Sequence, residues 1–243
     1  MIVIPMAGLS RRFTEAGYLL PKYMLQARGH SLFAHSVLSF FKYFSDTPFL
    51  FIARDVHETV NFIHSEVKDL GIKNYQVINL THPTAGQAET VSLGLTKASV
   101  SDLEPITIFN IDTFRPHFEF PTEFNVPEIA GYLEVFKGQG DNWSYIKADA
   151  MRQNRVIETA EKIQISDLCC TGLYHFGSAS LFYEAYIGFL ENQKVQPTYK
   201  EHFIAPIYNQ LIARNLDIRF TLIDREQVIF CGVPSEYLDF LAS

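Results

Sequence analysis

The sequence predicts an α/β fold: a mixed, mainly parallel sheet with helices on both faces, Rossmann-like in its order of elements. Three observations lead there. Strand-like and helix-like apolar periodicities alternate through residues 1–112, and a β-α-β series of this kind folds as parallel strands joined by right-handed crossovers. The 243-residue chain, 47% apolar and 19% charged, has an ordinary globular composition, long enough to bury roughly 70–75% of its unfolded surface in a core. No repeat, low-complexity run or linker rich in Pro, Gly or Ser divides it, so one continuous domain over 1–243 is expected.

The elements follow in order. Residues 1–5 are apolar throughout, as a strand buried on both faces requires. In 31–44, Leu32, Phe33, Val37, Leu38, Phe40, Phe41 and Phe44 recur at helical spacing. Pro48 precedes a strand at 49–53. Val60, Ile63, Val67 and Leu70 mark a helix over 57–70 that Gly71 stops, and 75–80 reads as a third strand. A helix over 85–98, with Thr84 as its N-cap, leads to a strand at 106–111. After Asp112 the rhythm changes. Pro116, Pro121 and Pro127 make 114–127 an irregular excursion. Strand-like 129–136 and 145–148 come next, then a pair at 156–159 and 168–176. Helices return at 178–191 and 200–215, before a strand at 218–223 and a short helix from Ser235.

Composition excludes several classes of function. No apolar run approaches the roughly 18 residues that cross a bilayer, and the mean hydropathy is +0.03. The first apolar stretch has no basic residue before it and runs into a Gly/Ser/Arg turn in place of a cleavage site, so a cytoplasmic location is expected. Acidic residues number 27 against 20 basic ones, for a net charge of −7. That balance gives no general attraction for a nucleic-acid backbone, and no basic stripe supplies one. The densest basic spot, Arg11-Arg12 with Lys22 beyond it, suits one small phosphorylated ligand. Cys169, Cys170 and Cys231 have no CxxC spacing and read as core residues in a reducing compartment. His117 reads as a solvated loop residue. Neither an H-E-x-x-H pattern nor a G-x-S-x-G elbow occurs, which leaves zinc chemistry and covalent catalysis without candidates.

Four stretches carry chemistry. Met6-Ala7-Gly8-Leu9-Ser10-Arg11-Arg12-Phe13 directly follows the first strand, where ligands sit in a parallel α/β sheet. Ala7, Gly8 and Ser10 are small enough for backbone N–H groups to approach phosphate oxygens, and an arginine there presents a planar fork to two of them. Pro21-Lys22 follows. The loop matches neither the G-x-G-x-x-G dinucleotide pattern nor the G-x-x-x-x-G-K-[ST] pattern of ATPases. Second, Pro83-Thr84-Ala85-Gly86-Gln87-Ala88 sets Gln87, an amide that donates and accepts, at a helix start. Third, Thr107-Ile108-Phe109-Asn110-Ile111-Asp112 is a buried strand ending in a carboxylate. A hard cation needs few protein carboxylates when phosphate oxygens and water complete its shell. Fourth, Glu161-Lys162 precedes the strand Thr171-Gly172-Leu173-Tyr174-His175-Phe176.

Together these stretches resemble the sugar-phosphate nucleotidyltransferases, the nucleoside-diphosphate-sugar pyrophosphorylases with a GT-A-like α/β fold, over most of the chain. Their Gly-x-Gly-Thr-Arg-Leu loop and Pro-Lys pair look like Gly8-x-Ser10-Arg11-Arg12-Phe13 and Pro21-Lys22. The resemblance implies that Arg12 grips the β- and γ-phosphates and Lys22 neutralises the α-phosphate under attack. Ala7, Gly8, Ser10, Gln87 and Asn110 would contact the nucleotide, and Asp112 would hold Mg²⁺. Glu161 would accept hydrogen bonds from sugar hydroxyls, Lys162 would hold the acceptor phosphate, and Gly172 would let the substrate approach the backbone. Ser10 replaces a glycine, which requires a negative φ there; Arg11 is expected to point outward, and Ile163 stands where proline is usual. On this reading 1–112 is a nucleotide-binding half and 113–243 an acceptor-binding half. The partners are an NTP and a phosphorylated small molecule, with no nucleic acid and no membrane span; a homo-oligomer is compatible with it. Products of the family commonly feed capsule or surface polysaccharide synthesis.

One position departs from the pattern. The family commonly supplies a second metal-binding aspartate two residues before a Gly-Thr-Pro turn, and here the turn is Phe230-Cys231-Gly232-Val233-Pro234. Phe230 cannot bind a cation. Either Asp112 holds the metal with phosphate oxygens and water, or Asp224 or Glu226 substitutes, or catalysis is impaired and a binding protein remains. A glycosyltransferase of the same fold is the other alternative. It would use Asn110-Ile111-Asp112 as an altered Asp-x-Asp motif, but its diphosphate donor has no γ-phosphate for Arg12 and the Pro21-Lys22 pair to hold.

Overall fold

The computed structural model describes all 243 residues. Its elements are β1 (Ile2–Met6), α1 (Arg11–Glu15), β2 (Gln26–Ala27), β3 (His30–Ser31), α2 (Leu32–Leu38), β4 (Phe49–Ala53), α3 (Thr59–Leu70), β5 (Tyr75–Asn79), α4 (Gln87–Lys97) and β6 (Ile106–Phe109). Then come β7 (Thr113–Phe114), β8 (Gly131–Lys137), β9 (Ser144–Ala148), β10 (Val156–Glu161), β11 (Leu168–Phe176), α5 (Ala179–Val195), α6 (Tyr208–Ala213), β12 (Ile218–Ile223), β13 (Ile229–Phe230) and α7 (Pro234–Ala242). The fold is α/β with a mixed sheet, as the sequence predicts. Packing divides the chain into two compact units. An amino-terminal unit comprises Ile2–Pro83, Phe109–Glu119 and Glu226–Ser243; a central unit comprises Met1, Thr84–Ile108 and Phe120–Arg225. No helix is long and apolar enough to cross a membrane.

In the amino-terminal unit β1, β4 and β5 are parallel, with Ile2 opposite Phe49 and Met6 opposite Ala53. Both β1 and β4 are buried along their whole length, which is why each reads as an uninterrupted apolar run. Ser31 caps α2 by accepting from the Ala34 N–H at 3.0 Å. Gly71 ends α3 in the left-handed conformation at φ 79°, where a Cβ would be strained. Phe40 is fully buried among Phe49, Phe109 and Phe118. In the central unit the order is β10-β9-β11-β6, with β8 between β11 and a parallel β12. Strand β11 is buried at all nine residues. Ser178 caps α5 through the Leu181 N–H, and Phe176 stacks on Tyr208 at 4.3 Å.

Three predicted boundaries are corrected. The helix predicted over 31–44 stops at Leu38, because the Ser39 hydroxyl is taken by the Arg115 N–H at 2.8 Å and a short 3-10 turn at Phe41–Tyr43 replaces the last turn. The helix predicted over 200–215 begins only with a 3-10 turn at Ala205–Ile207 and α6 behind it. Backbone groups at His202 pair instead with Ala85 and Ala88, which holds that segment extended. Thr84 does not cap α4, whose N-cap is Gly86; its hydroxyl pairs with that of Thr90 at 2.7 Å. The elements α1, β2, β3, β7 and β13 are too short to leave a periodicity in the sequence.

Candidate active site

The amino-terminal unit presents its loop where β1 ends. Ala7 is buried, while the space around Gly8 is open. The sequence requires a negative φ at Ser10, and the structure shows the opposite: Ser10 sits at φ 50°, ψ 32°, the left-handed region that glycine would take freely. A non-glycine residue held there stores roughly 1–3 kcal/mol of strain. Hydrogen bonds over-determine it. The Ser10 carbonyl accepts from the Phe13 and Thr14 N–H groups, and its hydroxyl accepts from the Lys22 N–H at 3.3 Å. Arg11 and Arg12 are both exposed.

Lys22 opens a 3-10 turn between buried Pro21 and Tyr23, and its ammonium donates to Asp112 Oδ2 at 2.5 Å. Burial pushes the Asp112 carboxyl up, but the charge and hydrogen bond of Lys22, together with Arg12, outweigh it and hold the group below its ordinary value. Asp112 is therefore held ionised by one lysine in contact and one arginine nearby. Asn110 lies just before it, its carbonyl accepting from Ser36.

The turn with Phe230 folds against the same carboxylate. Phe230 pairs with Thr113, and the Cys231 N–H donates to the Asp112 carbonyl at 2.8 Å. Gly232 lies so close that a Cβ there would stand 3.0 Å from Asp112 Oδ2 and 3.6 Å from Glu236 Oε2. Glu236 is the carboxylate brought to Asp112; the sequence reading passed over it. It accepts from the Gly232 and Val233 N–H groups at 2.8 and 3.2 Å. Glutamate at the third helical position, two residues after Pro234, is the signal that finds it, since a capping residue there folds back over the turn.

The central unit holds the remaining candidates. Gln87 is the first residue of α4, behind Gly86. A Cβ on Gly86 would meet the His202 backbone at 2.5 Å, so only glycine lets the two segments make their hydrogen bonds. Glu161 ends β10 opposite Ser144, whose hydroxyl donates to its carboxylate; Tyr174 donates in turn to Ser144 at 3.4 Å. Burial is the largest influence on Glu161 and raises its pKa, with Glu201 acting the same way and Ser144 and Lys162 opposing. Lys162 takes a left-handed φ of 58° and lays its ammonium 4.7 Å over the Phe203 ring. Gly172, at φ 100°, sits where the β8–β11 register shifts between Cys170 and Tyr174. A bulge of this kind re-aims neighbouring side chains.

A crystal structure of a nucleoside-diphosphate-sugar pyrophosphorylase from Vibrio cholerae RC9 is 52% identical over 100% of both chains, with a TM-score of 0.95. This chain belongs to that family. It is a nucleotidyltransferase of the pyrophosphorylase type, and its fold recurs at much lower identity. A putative glucose-1-phosphate thymidylyltransferase from Bacillus anthracis matches at 16% identity and TM-score 0.73, covering 99% of this chain and 93% of the other. The inositol-1-phosphate CTP transferase of T. maritima matches at 13% and 0.69, covering 99% and 94%. These distant likenesses concern the pyrophosphorylase fold alone. No family model and no curated protein matches the chain.

Proposed function

We propose that the chain transfers a nucleoside monophosphate from an NTP to a sugar phosphate or similar phosphate monoester. An acceptor phosphate oxygen bonds to the α-phosphorus, the bond to the bridging oxygen of the β-phosphate breaks, and pyrophosphate leaves. One observation supports the reading. Lys22, whose backbone N–H is held by the Ser10 hydroxyl, contacts a single ionised carboxylate, Asp112, and the charge of Arg12 reaches the same group. Phosphoryl chemistry of this kind needs positioning and charge neutralisation more than acid–base groups.

Lys22 balances the charge at the α-phosphate, and Arg12, free in solvent, forks onto the phosphates beyond it. In the central unit Lys162 receives the acceptor phosphate, Glu161 accepts from its hydroxyls, Gly172 shapes the bulge beside them, and Gln87 reads the base edge. Two observations fit Mg²⁺ to this chain. The ammonium of Lys22 already marks a cation position at Asp112 Oδ2, and the missing Cβ of Gly232 leaves room between that oxygen and Glu236. Asp112 and Glu236 would hold the ion, with oxygen donors of the hard type it takes. When bound it neutralises charge on the phosphates. We place the enzyme in the cytoplasm, supplying precursors of capsule or surface polysaccharide, as members of the family commonly do.

Incubation with each of the four NTPs, Mg²⁺ and a panel of sugar phosphates tests the reading. Stoichiometric pyrophosphate release with one pair is expected. Consumption of a finished nucleotide-sugar without pyrophosphate, or NTP binding with no turnover on any acceptor, overturns it.

A further inference from the structure

Arg54 is the first residue beyond the end of β4, and Ala53 before it stands opposite Met6, the last residue before the Ala7–Gly8 loop. Strand ends of a parallel sheet face its ligand crevice, so Arg54 borders the phosphate loop from the neighbouring strand. Its charge also reaches Tyr23, which directly follows Lys22. The guanidinium donates no hydrogen bond within the protein, and its Nη1 is buried without a partner. A buried donor left unpaired is destabilising, the more so when it is charged.

The segment around it is held rigid. The Asp55 N–H donates to Asn79 Oδ1, and the Asp55 carboxylate accepts from the Val60 N–H, both at 3.1 Å. Thr59, fully buried, ties the segment to Tyr23 through a 2.9 Å hydroxyl pair. His57 and Glu58 both take left-handed φ values, 51° and 57°, before α3 begins. Two strained residues in succession, fixed on both sides, thus follow an arginine whose Nη1 has no partner at the end of a strand.

We propose that Arg54 is a nucleotide-binding residue whose guanidinium donates to an acceptor-only edge of the bound nucleotide. Phosphate oxygens offer such an edge, and so does the adjacent carbonyl oxygen and ring nitrogen of cytosine or guanine. The inference rests on the nucleotidyltransferase reading and deepens it. The nucleotide edge would supply the partner that Nη1 lacks, and without it the unpaired Nη1 works against the stability of the free protein.

The test uses the full chain with Arg54→Gln and Arg54→Lys, titrating the four NTPs and inorganic tripolyphosphate calorimetrically, alongside thermal unfolding without ligand. Arg54→Gln is expected to weaken the preferred NTP about ten- to hundredfold with an unchanged or higher melting temperature, and Arg54→Lys to recover part of the loss. If tripolyphosphate weakens equally, the edge is phosphate; if only the NTP weakens, it is the base. Unchanged NTP affinity in Arg54→Gln overturns the proposal, as does a melting temperature lowered in step with the affinity. Wild-type protein that binds no NTP sinks the nucleotidyltransferase reading itself, a result distinct from either.

Discussion

Asp112 lies just beyond β6 and Glu161 is the last residue of β10, and their surroundings push the two carboxyl groups in opposite directions. Asp112 has a lysine in contact and an arginine nearby, and stays ionised despite burial. Glu161 has a serine hydroxyl and an exposed lysine whose ammonium lies over Phe203, and burial lifts its pKa. The first environment suits the metal ion and polyphosphate proposed for it, charges that come and go. The second suits neutral partners, because burial favours the uncharged form of Glu161, which exchanges hydrogen bonds with hydroxyl groups. On the function proposed above, the difference matches polyphosphate to Asp112 and acceptor hydroxyls to Glu161.

Replacing a cation on each side breaks that comparison most sharply. Lys22→Ala should lower kcat/KM by about 10²- to 10³-fold, the scale of one lost electrostatic donor, and should weaken NTP binding. Lys162→Ala should instead raise the KM for the phosphorylated acceptor while leaving NTP affinity unchanged. Titration of NTP into each variant, set beside steady-state pyrophosphate release, decides it. If Lys162→Ala loses NTP affinity as strongly as Lys22→Ala, the two-sided division is wrong.

Much of this was legible from residues alone. The apolar runs of β1 and β4 and the stop at Gly71 report their structures directly, because burial and positive φ each leave few residue types to choose from. What stayed hidden depends on contacts distant in sequence. Nothing in Pro83 to Ala88 announces that His202 will hold Gly86, and nothing in the Phe230 turn announces that Glu236 will fold back beside Asp112. Ser10 misled for a related reason. Propensity argues against a left-handed serine, yet the helix behind it and the Lys22 N–H supply enough bonds to keep it there.

The glycines of the two loops sharpen the comparison at intermediate scale. Gly8→Ala meets nothing within 4 Å and should stay within about 0.5 kcal/mol of wild type in stability. Gly86→Ala drives a Cβ into backbone at 2.5 Å, which cannot rotate away. It should be destabilising by about 1–3 kcal/mol, seen as a lower denaturation midpoint at unchanged slope. Equal stability of the two variants would show that the 84–88 and 202 segments part without loss.

The smallest effect separates the carboxylates by sign. Glu161 has its folded pKa raised above the ordinary 4.5. In acid, folded and unfolded chains both carry the proton and burial exacts nothing; as pH rises through the folded value, ionisation opposes folding. Glu161→Gln stays neutral at every pH and keeps an oxygen for the Ser144 hydroxyl. Its melting temperature should therefore match wild type near pH 4 and exceed it slightly at pH 8, while turnover of hydroxylated acceptors falls. Asp112 has its folded pKa depressed below 3.8, so its contribution is fully present above that value and is lost only as pH falls through the folded pKa. Asp112→Asn should accordingly melt below wild type by the same margin from pH 5 to pH 8. A Glu161→Gln protein that melts lower than wild type at pH 8 would mean that the glutamate is a structural anchor, and the contrast between the two sites would lose its second half.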